Sequence, residues 1–231
     1  MPPDAAEFDT FAADYDAALN EGLSVSGEDK NYFARGRIEW LRRCLSRLDF
    51  APRRILDFGC GTGSATPFFL DAFPGCEVLG LDVSARSIEV ARERHGSAHA
   101  TFCTMSIYRA DASFDLAYCN GVFHHIPLAE RADAVQYVRD SLKPGGVFAL
   151  WENNPWNPGT RYVMSRIPFD RDAITLSAPE SRRLLRAGGF RTIRTDFLFI
   201  FPRLLRWLRP TERLVHKLPM GTQYMVLGRK P

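Results

Sequence analysis

The run Asp57-Phe58-Gly59-Cys60-Gly61-Thr62-Gly63 decides how this chain is read. It follows a short apolar stretch, 53–58, and opens a helical pattern that runs to Phe73. Three glycines at alternate positions permit a tight turn and let the backbone approach a ligand with no Cβ in the way. In an open α/β sheet the ligand site lies outside the carboxyl ends of the strands, where this loop falls. A second acid, Asp82, stands 23 residues beyond Gly59, at the end of the next apolar run. A carboxylate there is placed to take both hydroxyls of a ribose. The spacing is G-x-G-x-G, not the G-x-G-x-x-G of dinucleotide folds, and no Gly-Lys-Ser/Thr is present, which excludes a P-loop. Asp57 at the head of the loop would repel a pyrophosphate and suits a cationic amino-acid moiety.

Outward from the loop, strands alternate with helices. Ser84 caps a helix running to about Arg94, and 100–103 and 114–119 are two further strands. An amphipathic helix over 128–142 is stopped by Pro144-Gly145-Gly146, and a fifth strand follows at 147–151. A helix over 179–186, a strand over 190–200 and a last strand over 224–229 complete the pattern. The alternation predicts an α/β protein with a mostly parallel sheet and helices on both faces. Two helical stretches, 4–19 and 28–47, precede the first strand and have none of their own. They are expected to cover the mouth of the sheet as a lid. The organisation read here is a helical lid over 1–50 and a core over 51–231, with a loop and short helix near 153–175 over the substrate site.

Composition narrows the class. The chain has 231 residues, 45% hydrophobic and 25% charged, which excludes disordered and fibrous proteins. No apolar run approaches the ~18 residues of a spanning helix. The start, Met1-Pro2-Pro3-Asp4, lacks a basic-then-apolar leader pattern, so a cytoplasmic protein is expected. Five cysteines without a Cys-x-x-Cys read as small buried hydrophobes, not as a zinc site or disulfide framework. The net charge of +3 conceals an asymmetry. Residues 1–170 hold 17 basic and 23 acidic side chains, whereas 171–231 hold 13 basic and 4 acidic. The C-terminal part either meets something anionic or presents a solvated arginine face.

At this point the residues reach a family. Asp57–Gly63 resembles motif I of the class I S-adenosylmethionine-dependent methyltransferases, and Asp82 matches that family's ribose acid. The run from Phe114-Asp115-Leu116 through Asn120-Gly121-Val122-Phe123-His124-His125-Ile126-Pro127 resembles its fourth-strand motif. Leu142-Lys143-Pro144-Gly145-Gly146 resembles the turn before its fifth strand. The resemblance spans residues 55–150. It implies a Rossmann-like seven-stranded sheet of order 3-2-1-4-5-7-6 with the last strand antiparallel, and S-adenosylmethionine as cofactor.

By position, the resemblance implies that the backbone of Gly59, Cys60 and Gly61 holds the methionine part and that Asp57 orders its ammonium. Asp82 and Val83 meet the ribose. Cys103, Thr104 and Met105 flank the adenine, with Cys103 standing where the family often has an Asp. Asn120 lies beside the sulfonium. Tyr15, Tyr32, Arg35 and Arg37 fall where small-molecule members contact the cofactor, and one of the two arginines is expected to pair with its carboxylate.

Methyl transfer to a hydroxyl needs alignment, exclusion of water and a base. His124 and His125 lie just past the fourth strand and Glu152 closes the fifth, which makes a His base with a carboxylate partner the expected catalytic set. His124 is slightly preferred. This resembles the sugar O-methyltransferases of natural-product pathways. No metal is expected, because the Glu-x-x-Glu-His of quinone O-methyltransferases is replaced by Gly121-x-x-His124-His125.

The acceptor is read as a small or lipid-linked molecule. Trp151 to Pro158 offers tryptophans and amides for a polar ring, and 197–209 alternates arginines with apolar residues as a membrane-surface helix does. A protein associated with a membrane surface is therefore part of the expectation. Nucleic acid is not, since neither an Asn/Asp-Pro-Pro-Tyr motif nor a separate binding module is present. Two other readings stay open: a noncatalytic S-adenosylmethionine-binding protein, and a C- or N-methyltransferase that needs no protein base.

Overall fold

The computed structural model of the chain describes residues 22–23, 26–167, 170 and 173–231. Its sheet contains β1 (Arg54–Phe58), β2 (Glu77–Asp82), β3 (Ala100–Thr104), β4 (Phe114–Asn120), β5 (Leu142–Asn153), β6 (Arg191–Leu198) and β7 (Gln223–Arg229). The strand order is β3-β2-β1-β4-β5-β7-β6. The first five run parallel, and β7 lies antiparallel between β5 and β6. The order that the resemblance implies is the order found.

Helices cover both faces, which is why β1 and β4 are buried along most of their length. Leu116 and Tyr118 of β4 enter one core cluster with helix α1 (Lys30–Ser46) and helix α2 (Thr66–Ala72). Ala117 and Cys119 point the other way, into a cluster with α4 (Arg131–Ser141) and α6 (Ala178–Ala187). Helix α3 (Ala85–His95) packs on β3, with its Ser84 cap accepting the Ser87 N–H at 3.0 Å. Helix α5 (Pro158–Arg166) follows β5, and a 3₁₀ segment (Arg203–Thr211) leads into the short α7 (Glu212–Val215). All five cysteines are free.

Two features differ from the sequence reading. Strand β5 begins at Leu142 instead of Val147, because Leu142 pairs with Phe114 and the Pro-Gly-Gly turn is absorbed where the β4–β5 register shifts. Helix α1 is a layer of the core. Ile38, Leu41 and Leu45 are fully buried against the sheet, and Trp40 Nε1 donates to Asp196 Oδ2 of β6 at 2.9 Å. Residues 30–46 of the stretch read as a lid thus contribute side chains to the core. From α1, Lys30, Tyr32, Phe33 and Arg37 face a cavity. The first helical stretch, 4–19, lies outside the described residues.

Candidate functional site

The loop after β1 is shaped by its glycines. Gly59 has φ +75°, and a Cβ there would stand 2.3 Å from Val122 Cγ2. Its N–H donates to Leu81 O at 2.7 Å, which fastens the loop to β2. Gly61, at φ +53°, has nothing within 4 Å of where its Cβ would be, and its backbone faces an open cavity. That cavity, ≈ 350 Å³, is bounded by Gly59, Gly61, Asp82, Val83, Met105 and Asn120, among others.

The acids lie where the sequence put them. Asp82 Oδ2 accepts the Gly61 N–H at 2.8 Å and Oδ1 accepts the Ser84 N–H at 2.9 Å, so the carboxylate is aimed before any ligand arrives. Asp57 is buried, and its Oδ2 has no hydrogen-bond partner among the described residues. Burial, and then the neighbouring Asp82 charge, push its carboxyl up to about 7, with Arg37 pulling the other way. Asn120 Oδ1 is likewise buried and without a partner among the described residues. Two buried acceptors that lack a donor are costly. They match the ammonium and the polar groups of an amino-acid-bearing nucleoside, so the residues present fit S-adenosylmethionine.

Other expected contacts fall elsewhere. Arg35 is exposed and stacks on Phe68, 5.4 Å from the ring centroid, because it sits off the buried stripe of α1. Of the two arginines, Arg37 is the one turned inward. It is buried, donates to Tyr118 Oη and Gln223 Oε1 at 2.9 Å each, and lines a second cavity. Cys60, Cys103 and Thr104 do not bound the first cavity. The Cys60 thiol lies against its own loop, on Gly61 O at 3.5 Å, and Thr104 Oγ1 is 3.0 Å from Ser106 Oγ. Tyr15 lies outside the described residues.

The second cavity, ≈ 380 Å³, lies between α1, the residues after β5 and the 199–202 stretch. It shares Asn120, Gly121 and His125 with the first. His124 and Asp170 also line it.

The two histidines differ sharply. His124 is buried, with Nδ1 2.6 Å from Glu152 Oε2 and Nε2 3.3 Å from Asp170 Oδ1. Burial alone would lower its pKa. The charge of Glu152 and the hydrogen bonds to Asp170 and Glu152 outweigh that and raise it to about 10. Both ring nitrogens of His124, the histidine preferred from the sequence, are thus engaged by carboxylates. Glu152 is buried and serves His124 and the Phe123 N–H (2.8 Å). His125 reaches both cavities, and its Nε2 lies 3.2 Å from Asp170 Oδ1. Burial would raise the Asp170 carboxyl, but hydrogen bonds from both histidines hold it down at about 2.

Asp170 was missed in the sequence because it is a lone acid in an irregular stretch with no periodic signal. His124, His125 and Asp170 also form the one group among the described residues whose ligand atoms, all within 4.8 Å of one another, could hold a metal ion. The aromatic reading of 151–158 changes too. Trp151 is fully buried and Asn154 Nδ2 is tied to Pro219 O and Gly221 O, while Asn153 and Asn157 reach the second cavity.

Comparison with known proteins agrees with this geometry. Residues 56–148 match the family model described as a methyltransferase domain. A trans-aconitate 2-methyltransferase of Rhodopseudomonas palustris (strain BisA53) is 31% identical over 142 residues, which cover 60% of this chain and 55% of that one. A malonyl-[acyl-carrier protein] O-methyltransferase of Acetivibrio thermocellus is 31% identical over 135 residues, covering 55% and 47%. The chain thus spans about half the length of the curated relatives it matches. The crystal structure of a SAM-dependent methyltransferase from Thermotoga maritima superposes with a TM-score of 0.64 at 20% identity, covering 97% of this chain and 98% of that one. One from Mesorhizobium loti gives 0.58 at 20%, covering 78% and 91%. It is through the segment between residues 56 and 148, and the sheet built around it, that this chain is similar to the class I S-adenosylmethionine-dependent methyltransferases.

Proposed function

We propose that this chain transfers a methyl group from S-adenosylmethionine to a hydroxyl of a small molecule held in the second cavity. The observation that carries the reading is the wall common to both cavities, made by Asn120, Gly121 and His125. A donor bound on the glycine loop and an acceptor bound beside His125 would meet there. The cofactor supplies a methyl group already activated on a sulfonium. The protein's work is then alignment, exclusion of water and removal of one proton.

Asp57 takes the ammonium, Asp82 the ribose hydroxyls, and Asn120 lies at the reacting end. His125 accepts the hydroxyl proton, with Asp170 orienting its ring and stabilising the imidazolium that forms. His124 and Glu152 hold the loop that carries His125. The names of two matched relatives specify carboxylic acids as acceptors. A carboxylate needs no base, so the oxygen chemistry of the acceptor is what the test must separate.

The experiment has two arms. Titration calorimetry with S-adenosylhomocysteine and with NAD tests the cofactor. S-adenosylhomocysteine should bind and NAD should not. Asp82→Ala, which removes charge-assisted hydrogen bonds worth roughly 1.5–3 kcal/mol each, should weaken binding at least about tenfold. Turnover on parallel panels of hydroxylated and carboxylated small molecules tests the acceptor. Binding with no turnover on either panel would favour the noncatalytic reading, and turnover on carboxylates alone would remove the base from the mechanism.

A further inference from the structure

We propose that the stretch from Arg203 to Met220 is the surface by which this protein lies on an anionic lipid bilayer. The sequence suggested 197–209 for such a contact, and the fold moves it. Phe197, Leu198 and Phe199 are buried and belong to the sheet edge and core. The apolar side chains that stand in solvent come afterwards: Leu204 (87% exposed), Trp207 (71%) and Leu214 (83%), then Leu218 and Met220. Among the described residues, six of the eleven large exposed hydrophobics fall between residues 204 and 220. They project from a short 3₁₀ segment, a single helical turn and the loop after it. Exposed apolar side chains of this kind suit insertion among lipid headgroups, where apolar area and attraction to anionic lipid act together.

Charge selects the occupant. The stretch carries Arg203, Arg206, Arg209, Arg213 and Lys217 against one acid, Glu212, a net of +4. Glu212 is turned inward, accepting the N–H groups of Phe199, Ile200 and Phe201 at 3.2, 3.1 and 3.0 Å. Arg209 is also held inward, 2.9 Å from Glu28 and stacked on Tyr32. Arg206 and Arg213 are exposed and have no ion pair among the described residues. A second copy of this surface would bring like charges together. An anionic headgroup layer answers both the free guanidinium groups and the apolar tips. Trp207, amphipathic and exposed, suits the interface.

The placement bears on the proposed activity. Phe201, Pro202 and Arg209 belong to the same stretch or adjoin it, and they line the second cavity. A protein resting on this surface holds that cavity beside the membrane, within reach of an acceptor hydroxyl carried on a lipid. The choice of acceptor rests on the methyl-transfer reading, whereas vesicle binding does not.

The test is co-sedimentation of the full chain with phosphatidylcholine vesicles and with vesicles of equal parts phosphatidylcholine and phosphatidylglycerol. Binding is expected to the mixed vesicles only and to fall as salt is raised. The pair Leu204→Ser with Trp207→Ser, and the pair Arg206→Glu with Arg213→Glu, should each weaken it at least about tenfold. Leu128→Ser, an exposed apolar site elsewhere, should not. Thermal unfolding and S-adenosylhomocysteine affinity of the same variants should match the parent, which separates a lost surface from a lost fold or cofactor site. No binding to mixed vesicles, or equal binding by both variant pairs, overturns the proposal. So does a parent dimer in size-exclusion chromatography that dissociates in the Leu204→Ser, Trp207→Ser variant, or an acidic protein partner that binds in place of lipid.

Discussion

The imidazole of His124 lies 2.6 Å from the carboxylate of Glu152, and the other oxygen of that carboxylate receives the Phe123 N–H. One acid at the end of β5 thus fixes both the backbone and the ring of the loop after β4. With Asp170 on its far side, the protonated ring is a strut between two buried carboxylates.

Removing the ring leaves Glu152 and Asp170 without their shared cation. Breaking a buried pair in this way typically costs about 3–5 kcal/mol. His124→Ala should therefore unfold at markedly lower denaturant than the parent at pH 7. The sign with pH is fixed by the raised pKa. The stabilisation is complete below the ordinary value of 6.5 and fades as pH rises through about 10. The gap between parent and variant should narrow over that range, and a gap that is flat or widens towards pH 10 would refute the charged strut.

His125 should behave differently. It borders both cavities and shares Asp170 with its neighbour. His125→Ala should keep near-parental stability and S-adenosylhomocysteine affinity while turnover on a hydroxyl acceptor falls by about 10²–10⁴. Asp170→Asn should lower turnover in the same direction, and because it also touches His124 it should cost stability as well. Normal turnover in His125→Ala would mean that the acceptor needs no protein base.

The contrast shows what could be read from the chain. The glycine loop, Asp82 and Asn120 were legible because strand ends and tight turns fix them locally. The choice between Arg35 and Arg37 was also within reach. Arg37 shares the stripe of Phe33, Leu41 and Leu45, four residues apart, and so turns inward with them. The roles proposed for the two histidines were not legible. They depend on Asp170, brought in by a stretch with neither helical nor strand periodicity. Trp151 misled for a related reason. Strand β5 lies inside the sheet between β4 and β7, so a ring that looked available for a ligand is core.

Asp57 gives a pH dependence of binding. Its carboxyl, raised to about 7, is partly protonated near neutral pH, and only the charged form pairs with an ammonium. Affinity for S-adenosylhomocysteine should therefore weaken as pH falls below 7, by up to about tenfold per unit. Asp57→Asn should bind weakly and lose this slope. Calorimetry from pH 5.5 to 7.5 at fixed ionic strength reads both, and a parent profile that is flat over that range would assign the ammonium to another group.

The last prediction concerns metal. His124 Nε2, His125 Nε2 and Asp170 Oδ1 are close enough to share a cation. Against this stands the proton on His124, held up to about 10 by Glu152 and Asp170. A metal at Nε2 must displace it, which at pH 7 costs about three pKa units, or roughly 4 kcal/mol. Metal binding should accordingly be weak at neutral pH and strengthen steeply as pH rises. Turnover and thermal midpoint should both survive EDTA. Zinc titration followed by calorimetry at pH 7 and pH 9 should show the gain in affinity, and His125→Ala should abolish what binding there is. Full loss of turnover on chelation, restored by zinc or magnesium, would make these three side chains a metal centre and His124 a neutral ligand with Glu152 accepting its Nδ1–H.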